Sequence, residues 1–553
     1  GEMTIGYHDY RTIPEETARV VKATLKKSNK YVVLRDELGV IYTDETFAAL
    51  YRSQGAESIP PGLVAQLVII QYMEGLSDRA LLEQLPVRMD WKYFLGLALT
   101  DPGFDPSVLS EFRQRLTEHE QANVLLEVLL QRCAEAGLLK ARGRQRTDST
   151  YVLAAVRSLN RPELLGETLR TTLDRLATVA PAWVQVIAPA TWYVQYGHRI
   201  ESYRLPKTTD ALTIWMEQVG QDGAALLAHA DDPMAPAAVR DSEEVKCLRL
   251  VWQQQFVVEE ERLRLRRQGE MPPASEMIQS PYDPDARYSE KRQLSWEGYK
   301  VHLSETCDDA LPRLITHVET TPAPVSDFTV LPEIQAALAT HERTPAQHFV
   351  DGGYLDAKSI VASRTDYQID LIGPVSTDVS WQAKANQGYD QSHFTLDWTH
   401  QTATCPTGKP SRLWAETQDT LGNTTIQIRF AAADCADCPA RQRCTRSPNA
   451  PRSLRILPQD EYNALHAARQ RQQTADFQAL YHQRAGIEGA FSWAVRSFGL
   501  RTSRYIGQAK THLHDLAVAI ALNLERLADF FVGLEPTPTR LSPLARLAAQ
   551  LTL

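Results

Sequence analysis

From Tyr299 the spacing of apolar residues changes period, and that change restricts the possible fold more than any other feature of the chain. Tyr299-Lys300-Val301-His302-Leu303 and Arg313-Leu314-Ile315-Thr316-His317-Val318-Glu319 alternate apolar and polar side chains, as half-buried strands do. Asp308-Asp309 supplies the turn between them. A helix is expected around 329–340, followed by the short apolar strand His348-Phe349-Val350, which ends at Asp351-Gly352-Gly353. Another helix should begin near Asp356, and Ile369-Asp370-Leu371-Ile372 reads as a further strand. Strand–helix–strand order of this kind predicts an α/β core.

The flanking segments read differently. At 553 residues the chain has room for about three to five domains of ordinary size. Residues 1–130 read as a helical domain. Pro61-Gly62 opens an apolar run to Met73, Gly75 breaks it, and Ser77-Asp78 can cap a second helix carrying Leu81, Leu82 and Leu85. Two short helices about a glycine turn fit a DNA-binding helix-turn-helix, and they fit a plain helical bundle equally well. Residues 140–152 pass from alternating Lys and Arg into β-branched side chains, which predicts a strand with one charged face. The expected division is 131–154 and 281–380 as two parts of the core, 155–280 as a polar helical insertion, and 381–457 as a Cys-rich β insertion. Residues 458–553 would be C-terminal helices completing the core; from Gln459 to Leu534 there is no proline and the apolar spacing is helical.

Within that last segment lies Tyr481-His482-Gln483-Arg484-Ala485-Gly486-Ile487-Glu488. Tyr481, Arg484 and Glu488 are offset by three and seven positions, which at about 100° per residue puts them within roughly 60° of one helix face. A phenol, a guanidinium and a carboxylate would then face one partner. A solvated helix face with scattered charges is the other reading of the same spacing.

This Tyr-x2-Arg-x3-Glu spacing resembles the signature of bacterial insertion-sequence transposases of the DDE type. Asp148, in Arg-Thr-Asp-Ser-Thr, stands where that family has its first aspartate, on the first core strand. Asp351, in Phe-Val-Asp-Gly-Gly-Tyr, matches the second, and Glu488 matches the glutamate of a late helix. Phe104-Asp105-Pro106-Ser107-Val108-Leu109-Ser110-Glu111-Phe112-Arg113 resembles the end of the family's helical N-terminal domain, and the Cys-rich block also matches. The family often has a lysine seven residues after the glutamate; that position is Val495 here, and Arg496 beside it is the candidate substitute.

The resemblance implies a ribonuclease H-like core and a DNA transposase that cleaves and joins strands at mobile-element ends. A metal-dependent endonuclease without strand transfer and a non-catalytic DNA-binding regulator are the alternatives. It also implies two Mg²⁺ or Mn²⁺ ions held by Asp148, Asp351 and Glu488, since paired divalent ions activate the attacking oxygen and stabilise the leaving one. Arg484 and Tyr481 would then hold the DNA backbone, the arginine by a charge-assisted fork.

Seven cysteines include a late cluster, Cys405, Cys435, Cys438 and Cys444. Cys-x2-Cys is a zinc-knuckle spacing, and four thiolates make a closed structural site. A redox pair and plain reduced thiols are the other readings. Arg441, Arg443, Arg446, Arg452 and Arg455 beside the cluster could grip DNA phosphate. Trp381, Trp398 and Trp414 offer either a base-stacking surface or core packing.

The net charge is −9, so a positive groove has to be local. Candidates are Lys140, Arg142, Arg144 and Arg146 before Asp148, and Arg496, Arg501, Arg504 and Lys510 after the late helix. Lys300 and His302 alternate on one strand and are further candidates for DNA contact. The apolar stretch from Leu516 to Leu534 contains Asn523, Glu525, Arg526 and Asp529, which argues against a membrane span. The first residues carry no apolar signal core, and Gly1-Glu2 ahead of Met3 look like an expression remnant. A bacterial cytoplasmic protein, associated with the nucleoid when on DNA, is expected. Its partners would be double-stranded DNA at element ends and targets, with a homodimer forming on paired ends.

Overall fold

The computed structural model describes residues 3–5, 9–51, 56–291, 293–384 and 388–534; Gly1-Glu2 and residues 535–553 of the expected C-terminal segment lie outside them. A mixed sheet is built from β1 (Arg144–Leu153), β2 (Arg287–Lys291), β3 (Leu294–Thr306), β4 (Ile315–Pro322), β5 (Gln347–Val350) and β6 (Asp370–Ile372). Long β3 pairs along one edge with β2 through its first residues and with β4 through the rest. Its other edge pairs antiparallel with β1, Gln145 opposite Thr306 through to Leu153 opposite Gly298. Beyond β1 lie β5 and then β6, both parallel. The parallel strands are reached through helices Asp327–Thr340 and Ala357–Tyr367, as parallel pairing requires.

Local chemistry sets several boundaries. Asp356 accepts from the Ser359 backbone N–H at 2.7 Å and so opens the second crossover helix. In the N-terminal part, α1 (Pro61–Glu74) stops at Gly75, whose φ of 67° is left-handed, and Ser77 caps α2 (Asp78–Gln84) through the Ala80 N–H. Every residue of α1 from Pro61 to Met73 is buried, which is bundle packing and leaves that helix no face for a DNA groove.

The late chain forms α3 (Ala475–Tyr481), a 3₁₀ turn over His482–Ala485, α4 (Gly486–Phe498) and α5 (Gln508–Phe531). One apolar cluster joins Trp91 and Phe112 of the N-terminal helices, Tyr299 and Leu303 of β3, Ile487 of α4, and Leu516 and Ile520 of α5. A smaller cluster on Val350, Tyr354 and Leu371 packs with Leu331 and Ile334 of the Asp327–Thr340 helix. The polar residues that interrupt α5 have internal partners. Asn523 exchanges two hydrogen bonds with the Ile315 backbone, Glu525 pairs with Lys30 at 2.6 Å, and Arg526 pairs with Glu305 at 2.6 Å. No helix among the described residues is long and apolar enough to cross a membrane.

Residues 155–280 hold the long helices Arg161–Val179, Thr209–Ala230 and Glu243–Gln255 around their own apolar cluster, and a hairpin of Phe256–Glu259 with Arg262–Leu265. Between β6 and α3 sits a three-stranded antiparallel sheet, Ser411–Gln418, Thr424–Phe430 and Ser453–Ile456, packed on Phe394 and Phe430. Trp398 and Trp414 meet edge to face at 5.3 Å in the packing of this sheet, and the Arg446 guanidinium lies over half-buried Trp381.

Candidate active site

The register of the sheet brings two aspartates together. Thr147 of β1 lies opposite Val350 of parallel β5, so Asp148 and Asp351 each follow the same aligned pair. Asp148 accepts from the Ser149 N–H at 2.8 Å, and Asp351 turns the chain by accepting from the Gly352 N–H at 2.5 Å. Glu488 arrives from the first turn of α4. The 3₁₀ turn leading into that helix is docked on β1 by Arg146, which donates to the Gln483 carbonyl at 2.6 Å. Gly486 is required at the contact, because a β-carbon there would lie 2.1 Å from the Arg146 guanidinium.

Arg484, in the 3₁₀ turn, touches all three carboxylates. One terminal nitrogen pairs closely with Asp148 and lies 3.8 Å from Asp351, and the other lies 3.6 Å from Glu488. Burial raises the Asp148 pKa above the ordinary carboxylate range against the pull of Arg484, and the Asp351 charge adds to the rise. Tyr481 stacks on Phe477 with ring centres 5.6 Å apart. Burial, opposed by Arg484 and helped by the acidic groups, pushes its phenol up to about 12. Among the described residues no three His, Cys, Asp or Glu side chains already stand at metal-ligand spacing, and a guanidinium occupies the middle of the carboxylate group.

A family model described as Transposase DDE domain matches residues 404–528, and one described as Transposase domain (DUF772) matches residues 20–115. Both matches support an insertion-sequence DDE transposase. The first match spans Tyr481, Arg484, Glu488 and the four clustered cysteines; Asp148 and Asp351 lie outside both. No curated protein matches the chain.

Several charged residues singled out from sequence have partners within the protein. His302 is fully buried, 2.6 Å from the Tyr354 hydroxyl and 3.3 Å from Thr321, so a DNA contact is not open to it. Lys300 pairs with Asp327 at 2.9 Å and donates to the Val325 carbonyl. Arg142, exposed, donates to the Tyr367 and Gln368 carbonyls, Arg144 pairs with Asp309, and Arg146 is buried against Glu305, so Arg146 faces no groove. Arg501 lies over the Tyr151 ring and donates to Thr150, and Arg504 donates to the Leu76 carbonyl while staying exposed. Arg496 and Lys510 are exposed.

Asp327 went unnoticed in the sequence because, after Ser326, it reads as an ordinary helix start. It accepts from Ser149 at 3.4 Å and from Lys300, which makes it the polar neighbour of Asp148's strand.

Cys405, Cys435, Cys438 and Cys444 line one cavity of about 30 Å³ with Phe394, Phe430, Arg441 and Arg452. Burial raises the Cys405 thiol pKa, but hydrogen bonds from Thr407 and the Lys409 N–H outweigh it and the net shift is downward. Burial raises the Cys444 thiol, and the charges of the other three cysteines add to it. Two of the nearby arginines are tied into the loop: Arg441 holds the Cys435, Ser447, Pro448 and Ala450 carbonyls, and Arg452 lies over Phe394, while exposed Arg443 lies over Tyr389. Arg441 and Arg452 organise the loop, whereas Arg443, Arg446 and Arg455 are exposed.

Proposed function

We propose that this transposase cleaves DNA at mobile-element ends and joins the freed strands to target DNA, with Asp148, Asp351 and Glu488 holding two Mg²⁺ or Mn²⁺ ions. The observation that carries the reading is the meeting of three carboxylates from distant chain positions around one cationic group. Three anions with one counter-charge favour further cations, and carboxylate oxygens suit hard divalent ions. When bound, such a pair supplies activation of the attacking oxygen and stabilisation of the departing 3′-oxygen. The strand order β4-β3-β1-β5-β6, three antiparallel strands followed by two parallel ones, supports a ribonuclease H-like core.

The protein's own groups divide the remaining work. Asp148 is fixed on a central strand and Asp351 on a capped turn, so both hold position when DNA arrives. Arg484 and Tyr481 lie beside them and can orient a phosphate, the arginine through its planar fork. Arg496 and Lys510 supply exposed positive charge for the flanking backbone. On paired ends two chains act as a two-fold dimer, so that each end has a site.

The same reading gives Cys405, Cys435, Cys438 and Cys444 one structural zinc. The soft donor set, the room for a single ion and the lowered Cys405 thiol support it. Metal analysis of chelator-free protein should find one zinc per chain, and finding none would remove the assignment.

Duplexes carrying the element's ends test the main reading. The full chain with Mg²⁺ should nick them to leave a 3′-hydroxyl and should join pre-cleaved ends to a target plasmid. Cleavage without joining would make the protein an endonuclease. DNA binding with neither reaction would make it a regulator. Light scattering with and without end DNA should show pairing of protomers on the ends.

A further inference from the structure

We propose that Arg484 is a resident counter-cation of the carboxylate site: it holds Asp148, Asp351 and Glu488 together before any metal arrives, and it is exchanged for metal when DNA phosphate draws it away. This rests on the reading of those three residues as metal ligands. The contacts set up a direct competition. The terminal nitrogens of Arg484 lie against oxygens of all three acids, and those oxygens cannot face a guanidinium and a divalent ion at once.

The surroundings make exchange a side-chain event. The backbone of the 3₁₀ turn is anchored from behind, because Arg146 grips the Gln483 carbonyl while being held by Glu305. The guanidinium can therefore swing while Glu488, four residues on, stays in place. The present arrangement also leaves the guanidinium incompletely satisfied: its Nε is buried with no hydrogen-bond partner. A phosphate accepts two parallel N–H bonds from the fork, so a DNA backbone beside the site offers Arg484 a fuller set of bonds than the carboxylates do.

Two consequences follow. Metal affinity without DNA is held low by an internal competitor, so the free protein is a poor nuclease. DNA removes the competitor and so raises metal affinity, and by reciprocity metal raises DNA affinity by the same factor. Arg484 is in this sense a positioning residue whose two successive partners order the assembly of the reactive complex.

Calorimetric titration of the full chain with Mn²⁺ alone, in the absence of DNA, tests this. Arg484→Gln, which keeps much of the side chain's shape and loses the charge, should bind Mn²⁺ about tenfold more tightly than the unaltered protein, within the usual span of coupling between sites. Arg484→Lys should fall between the two, and it keeps the test open should the glutamine variant not fold. The metal-free melting temperature of Arg484→Gln should drop, and added Mn²⁺ should restore it by a larger increment than the unaltered protein gains. The double change Asp148→Asn with Arg484→Gln should lose the tight binding. Equal or weaker Mn²⁺ affinity in both Arg484 variants, still abolished by Asp148→Asn, would overturn the exchange and leave the metal site standing. Mn²⁺ binding indifferent to Asp148→Asn in every variant would overturn both.

Discussion

Two ion clusters share one face of β1, two residues apart, and they are built from the same kinds of group. Around Arg146, the Glu305 carboxylate sits between two guanidiniums, its other partner being Arg526 of α5. Their side chains are 3%, 0% and 14% exposed for Arg146, Glu305 and Arg526. Around Asp148 the ratio is reversed, with three acids about one arginine, and exposure climbs from 13% at Asp148 to 41% at Asp351 and 69% at Glu488. The first cluster is closed and bridges β1, β3 and α5. The second is open on one side and carries surplus negative charge. Stoichiometry and access, more than residue type, separate a structural ion cluster from one that can take part in chemistry.

The largest effect should come from the open cluster. Asp148→Asn, Asp351→Asn or Glu488→Gln should each lower cleavage of end DNA by about 10³-fold or more, measured on labelled duplexes, because each removes charge from where the reaction is stabilised. Folding should not suffer; Asp148→Asn should hold or raise the melting temperature, since burial already disfavours that charge. A comparable loss of stability in these variants would erase the distinction between the clusters.

The closed cluster should respond in the opposite way. Glu305→Gln leaves Arg146 and Arg526 buried without a counter-charge and should cost about 3–5 kcal/mol in denaturant unfolding. Activity, corrected for folded fraction, should fall far less than with the acidic-site changes.

A pH effect sharpens the contrast further. His302, His348 and His514 lie in the interior and His512 is half-buried beside Thr320, and burial lowers each from 6.5 to about 4. The unfolded chain takes up protons on them near its ordinary value while the folded chain does not. Stability is therefore full above that value and drains away as pH falls from about 6.5 toward about 4. Carboxyls that burial raises oppose this, Asp515 well above the usual range and Asp148, Asp283 and Glu525 above their ordinary values. Melting temperature should decline across that window in the unaltered protein and in Asp148→Asn alike, because the histidines are not part of the open site. The smallest effect should come from exposed cations. Arg496→Ala and Lys510→Ala should each weaken DNA binding evenly across sequences and reduce the salt slope by about one.

Much of the fold was legible because it is written locally. Period-two alternation marked β3 and β4, and Ser77, Gly75 and Asp356 marked helix ends through short-range hydrogen bonds and a left-handed turn. Strand β2 was not legible: Arg287–Lys291 reads Arg-Tyr-Ser-Glu-Lys, an edge strand with no apolar alternation, which exists because β3 offers it a partner. The site was legible only in part for a related reason. Basic residues before Asp148 suggested a groove, yet the fate of Arg146 depends on Glu305, 159 positions away, and on Arg526. A spacing within one segment can place Tyr481, Arg484 and Glu488 on one side of a helix, but only sheet register sets Asp148 beside Asp351.

The burial of α5 also governs when the protein comes into being on the ribosome. Lys30 finds Glu525 at a separation of 495 positions, and Tyr72 meets His514 across 442. The sheet and the N-terminal helices thus wait, with apolar faces uncovered, until residues 508–531 have been synthesised, and closure over such separations is slow. A nascent chain in that interval exposes apolar surface and is prone to aggregate. Since Glu488 is delivered only shortly before α5, stalled or truncated chains ending before residue 508 should be readily digested by added protease and, on the proposed function, unable to cut DNA, so the synthesis order would itself delay strand breakage until the whole core can form.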